Sequence, residues 1–146
     1  MSFPFSLNWS GDTQHSDYPR EAVATVLGKP DLELSSGPSH GGDAGAWNPE
    51  DTFGASLAQC HLLTFLAMVG KRKQHVLGVE VSGAVELTTE NRRTRVGSVT
   101  LEATITVGPE ADEDAIKKAY HKAHEYCYIA NSTTAELILK PTVVRG

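Results

Sequence analysis

The sequence predicts an α+β fold in which antiparallel sheets pack on long central helices. Three observations lead there. Two long runs of alternating apolar residues flank a polar hairpin tip, two segments combine helical periodicity with helix-start signals, and short apolar runs open the chain. The 146 residues, 40% hydrophobic and 21% charged, suit one globular domain over residues 1–146. A chain of that size buries a core without disulfide or metal staples.

In chain order, residues 3–9, 22–27 and 32–34 read as strands separated by polar or Gly/Pro breaks. Residues 35–46, SSGPSHGGDAGA, form a loop by composition. It carries neither a GKS/GKT triplet nor a GxGxxG that opens a helix, so a phosphate cradle is not expected. Asn48 then serves as N-cap, Pro49 takes the first helical position, and Glu50 and Asp51 sit where the helix dipole favours acids. This helix should run to about Val69 and stop at Gly70, with Lys71, Arg72 and Lys73 beyond. Phe53, Leu57, Cys60, Thr64 and Met68 share one face, and Ala55, Ala58, Leu62, Phe65 and Val69 the opposite one. A helix apolar nearly all round is a central, buried helix.

Two alternating strands follow, carrying Val79, Val81, Val85 and Leu87, then Val99, Leu101, Ile105 and Val107, joined across residues 90–93. A second helix starts at Asp112, an N-cap backed by Glu113 and Asp114. Its apolar stripe of Ile116, Ala119, Tyr120, Ala123, Tyr126, Cys127 and Ala130 predicts continuation to about residue 130. A last strand, residues 135–144, contains Pro141, which suits an edge position.

Charge excludes some functions. With 13 Lys and Arg against 18 Asp and Glu the net charge is −5, and no basic run offers a surface for nucleic acid or anionic membrane. The longest apolar stretch, residues 62–69, is too short to span a bilayer. The opening MSFPFSLNWSGD lacks the basic and apolar regions of a signal peptide, so a cytoplasmic location is expected.

The chemistry concentrates on Cys60 and Cys127. Neither belongs to a CxxC, and two cysteines so far apart make no disulfide framework. Both fall on inward helix faces by periodicity. They are either small buried core residues or, if their Cα atoms come within about 4.4–6.8 Å, a pair that cycles between dithiol and disulfide. A zinc site using His61 and His124 beside the cysteines is disfavoured. Position 61 lies about 100° around the helix from position 60, and neither HxxxH nor HExxH occurs. No metal or cofactor is expected. Without GxSxG, a serine hydrolase has no support either.

Asn48-Pro49-Glu50-Asp51, followed by Cys60 in ASLAQCHLLTFLA and by AHEYCYIANS around Cys127, resembles the OsmC-like hydroperoxide reductase family. Tyr18-Pro19-Arg20 and the WNPED box resemble one branch of it. The resemblance implies a thiol peroxidase acting on organic hydroperoxides in oxidative-stress defence, built as an intertwined homodimer and recharged by a thiol reductant. By that similarity Cys60 is the peroxidatic cysteine, Cys127 the resolving one, and Arg20 and Glu50 the activating pair. Two features depart from the pattern. Tyr128 follows Cys127 where many members have proline, and position 61 is His where aromatic residues are common. The competing reading is a non-enzymatic, stress-associated α+β binding domain with both cysteines buried and inert.

Physical chemistry constrains the implied roles. An ordinary thiol, with a pKa near about 8.5, is only a few per cent thiolate at neutral pH. Cys60 lies too far into its helix for the dipole to help, and burial raises a thiol's pKa, so a cation is expected to compensate; Arg20 is the candidate. Glu50 would fix its guanidinium. By themselves Arg20 and Glu50 also read as surface ion-pair or helix-start residues. Ten residues of helix separate Glu50 from Cys60 by about 15 Å and about 80°. If both serve one site, Glu50 is expected from the partner's helix.

Overall fold

A computed structural model describes residues 1–146. It has α+β architecture, as the sequence predicts, with two three-stranded sheets and two helices. The chain divides into two compact units, Met1–Thr52 and Phe53–Gly146.

In the first unit, β1 (Ser6–Asn8), β2 (Ala22–Thr25) and β3 (Leu32–Leu34) form an antiparallel sheet in that order. The first strand is shorter than its apolar run suggests, and Phe3, Phe5 and Leu7 are exposed. The glycine-rich segment is a folded loop rather than a plain linker. Ser35 donates its N–H to the Trp47 carbonyl at 2.9 Å, and its hydroxyl accepts from the Asp43 N–H at 3.0 Å.

Helix α1 (Pro49–Lys71) begins as its sequence requires. The Asn48 side chain accepts from the Asp51 N–H at 2.9 Å, and Asp51 accepts from the Asn48 N–H at 3.2 Å. This reciprocal pair satisfies two orphan groups of the first turn. The stop differs from expectation. Gly70 stays helical and Lys73 takes the left-handed conformation (φ 53°), while the Gln74 N–H bonds back to the Val69 carbonyl at 3.0 Å. Length and composition alone would let α1 cross a bilayer, yet Leu57, His61, Phe65 and Val69 form a buried stripe along it. It is the core helix of the second unit.

Strands β4 (Val76–Glu90) and β5 (Arg93–Val107) form a hairpin whose two-residue turn, Asn91-Arg92, has φ of 51° and 63°. Positive φ at both positions matches the twist of the flanking strands. Gly97 lies at a register shift, where a Cβ would come within 2.9 Å of Thr88. Central β5 turns Val99, Leu101, Ala103, Ile105 and Val107 inward.

Strand β6 (Glu136–Arg145) lies at the edge beside β5, where Pro141 costs least, but it runs parallel to it. The second sheet is therefore mixed rather than wholly antiparallel. The crossover that parallel pairing demands is supplied by α2 (Glu113–Lys122), capped by Asp112, whose side chain accepts from the Ala115 N–H at 3.0 Å. Helix α2 is shorter than its apolar stripe predicts. Residues Ala123–Tyr126 tighten into a 3-10 turn, Cys127 is extended, and Ala130–Ser132 make a second such turn.

Candidate active site

Cys60 lies near the middle of α1, half-buried beside the fully buried Leu57, while Cys127 follows the 3-10 turn after α2 and is 0% exposed. Thus Cys127 is not on a long helix face, and Tyr126, expected on the buried stripe, is exposed. Both cysteines join one apolar cluster with Leu57, Val99 and Leu101. The two thiols are close enough to perturb each other's ionisation, and both are free.

Their environments push them in opposite directions. Burial raises the Cys60 thiol, but hydrogen bonds from the Ile129 backbone, the Cys127 thiol, the Tyr128 backbone and Thr64 outweigh it, and its pKa falls below the ordinary value. Burial raises Cys127, and Cys60 raises it further by taking its hydrogen bond and by bearing the charge, against the Ala130 N–H. That N–H reaches the Cys127 sulfur at 3.4 Å. Opposed shifts within one pair make Cys60 the more acidic thiol and Cys127 the one that keeps its proton. The expectation that only a cation could offset burial at Cys60 is corrected, because neutral donors from residues 127–129 do so. Sequence carries little signal for this, since backbone N–H groups are common to nearly every residue. Only the absence of proline at position 128 hinted at it.

His61 is buried on the inner face of α1. It is 1% exposed, its Nε2 lies 2.9 Å from the Tyr120 carbonyl oxygen, and its ring meets the Tyr120 ring edge-on at 4.6 Å. A carbonyl only accepts, so Nε2 carries the proton. Burial lowers its pKa despite the carbonyl, with His124 and His121 adding to the effect. No group of His, Cys, Asp and Glu is arranged to hold a metal ion.

A family model described as OsmC-like protein matches residues 41–141. The chain belongs to the OsmC-like family. No curated protein matches the sequence. Among solved structures, an OsmC-like protein of unknown function from Vibrio cholerae superposes with a TM-score of 0.90 at 22% identity, covering 97% of this chain and 99% of that one. An organic hydroperoxide resistance protein OsmC from Legionella pneumophila gives 0.73 at 23% identity, over 98% and 96%. The organic hydroperoxide resistance protein OhrB of Bacillus subtilis gives 0.67 at 18%, over 99% and 98%. These likenesses establish a shared OsmC-like fold.

The other two candidate residues of this OsmC-like chain lie in its first unit. Arg20 donates to the Tyr18 carbonyl and, at 3.4 Å, to that of Ser16, and its guanidinium stacks 3.6 Å from the centre of the Tyr18 ring. Its fork is thereby held in a fixed orientation. Glu50 stands in the first turn of α1. Ion pairs within the chain do not join it to Arg20.

Proposed function

We propose that this OsmC-like protein is a thiol-dependent hydroperoxide reductase acting on organic hydroperoxides in oxidative-stress defence. The observation that carries the reading is a pair of free thiols in one apolar cluster, their ionisation shifted in opposite directions. The Cys60 thiolate attacks the outer oxygen of the hydroperoxide, the O–O bond breaks, and the alkoxide leaves and takes a proton to become the alcohol. Cys60 is then a sulfenic acid. The Cys127 sulfur attacks the Cys60 sulfur, an S–S bond replaces the S–O bond, and the Cys127 proton leaves with the hydroxyl as water. A dithiol reductant restores both thiols by exchange. Phe53 and Leu57, packed in the same cluster as Cys60, suit an alkyl or lipid hydroperoxide over hydrogen peroxide. A cytoplasm kept reducing suits the return to free thiols.

Arg20 and Glu50 are assigned as the activating pair of a homodimer. Leu63 and Leu66 on the outward side of α1 are 58% and 38% exposed, apolar surface that a second copy of the chain would cover. With Glu50 supplied by the partner's α1, the pair would orient around a Cys60 that it cannot reach along its own helix.

Intact mass after one equivalent of cumene hydroperoxide tests the chemistry. Loss of two hydrogens marks the disulfide, whereas a lasting gain of oxygen denies Cys127 its role, and an unchanged mass with no peroxide consumed favours the inert-cysteine domain. Mixing Glu50→Ala with Cys60→Ser subunits tests the assembly. One of the two sites in each heterodimer should regain activity if the residues come from different chains, and neither if they come from the same one.

A further inference from the structure

The apolar periodicity of residues 116–130 is that of a continuous helix, yet α2 ends at Lys122. Had it continued, Cys127 would sit inside a helix instead of at an extended residue. The last bond of the α type runs from the Ala123 N–H to the Ala119 carbonyl. The next carbonyl, that of Tyr120, accepts from His61 Nε2 at 2.9 Å. From there the chain tightens into the 3-10 turn Ala123–Tyr126, closed by the Cys127 N–H on the His124 carbonyl. Terminal carbonyls of a helix need a partner from elsewhere. Here the partner is the neighbour of Cys60 on α1, the sole polar member of the stripe Leu57, His61, Phe65 and Val69.

We propose that His61 is the positioning residue of the thiol pair: by holding the Tyr120 carbonyl it ends α2 and frees the following turn to carry Cys127 onto Cys60. The element that bears one thiol thereby dictates where the other is delivered. The proposal rests on reading Cys60 and Cys127 as redox partners, and it does not depend on which oxidant they meet.

The dithiol–disulfide equilibrium in glutathione buffers, read by intact mass, tests it without any hydroperoxide. His61→Phe keeps an aromatic ring but cannot donate, so α2 should lengthen, with more helical far-UV circular dichroism. Disulfide closure should weaken by about tenfold, equivalent to about 30 mV for a two-electron couple. His61→Gln, whose amide N–H can reach the same carbonyl, should restore closure. Equal closure in the wild type and His61→Phe would overturn the proposal, as would equal impairment of both variants, which would mark simple core damage. Imidazole nitrogen spectra of the unaltered protein need no variant. They should show neutral His61 protonated at Nε2, and protonation at Nδ1 alone would overturn the assignment. A wild type that closes its disulfide in glutathione but consumes no hydroperoxide would remove the peroxidase reading and leave this one standing. A wild type that never closes it would remove this one.

Discussion

Removing the hydroxyl of Tyr120 should stabilise the protein. The side chain is fully buried, its ring packs edge-on against His61 at 4.6 Å and Phe65 at 5.4 Å, and its hydroxyl has no hydrogen-bond partner. Burial alone pushes its pKa up to about 12, so the group stays a protonated, desolvated phenol. A buried hydroxyl without a partner costs about 1–3 kcal/mol. Tyr120→Phe abolishes that cost and leaves a void of roughly 10 Å³, which at about 24 cal/mol per Å³ returns only about 0.2 kcal/mol. The ring contacts survive. The net gain is about 1–3 kcal/mol, or about 3–9 °C in Tm for a chain of this size. Urea unfolding at one fixed protein concentration should give a higher midpoint with the same slope. A loss of about 1 kcal/mol or more would refute the reasoning, because it would mean that the hydroxyl is satisfied by an ordered water.

Phe65→Ala removes a fully buried ring between Tyr120 and β5 and should cost about 3–5 kcal/mol in the same assay. Stability should also fall in mild acid. Unfolded His61 takes its proton near 6.5 while the folded site resists it. Below that pH the unfolded state binds more protons, so this contribution is complete above 6.5 and is lost as pH falls towards the folded value. The urea midpoint of the wild type should therefore decline between about pH 7.5 and about pH 5.5 more than that of His61→Gln, and parallel profiles would contradict it. Iodoacetamide labelling across pH should show Cys60 reacting with a midpoint below that of an unstructured cysteine peptide and Cys127, in Cys60→Ser, remaining slow. Faster labelling of Cys127 would reverse the assignment of nucleophile.

Much of the fold was legible because local rules and tertiary packing agree there. Asn48-Pro49 fixes the start of α1, Asp112 that of α2, and the alternation from Val79 to Val107 marks the hairpin with its tip within one residue. What failed had a common cause: the deciding partner is distant in sequence. The apolar spacing through Ala130 is the same whether or not a helix forms, and a histidine 59 residues away ends it. The parallel direction of β6 is likewise invisible in its alternation. At the candidate site, helical spacing placed Cys60 inward on α1 but assigned Cys127 to a helix that ends before it. Among the groups that lower Cys60 are main-chain groups at Ile129 and Tyr128, which no side-chain pattern records.

The mixed sheet bears on the order of assembly. The β4–β5 hairpin closes through a two-residue turn, an event of about microseconds, whereas β6 joins β5 only after residues 108–135 have crossed over, at a greater entropic cost of closure. Cys127 lies in that connecting segment, so its approach to Cys60 is coupled to the closure of the crossover. A disulfide between them consequently reports a finished chain. A chain cut before β6 should therefore leave Cys127 unable to reach Cys60, and disulfide closure in glutathione buffer, read by intact mass, should be lost from it.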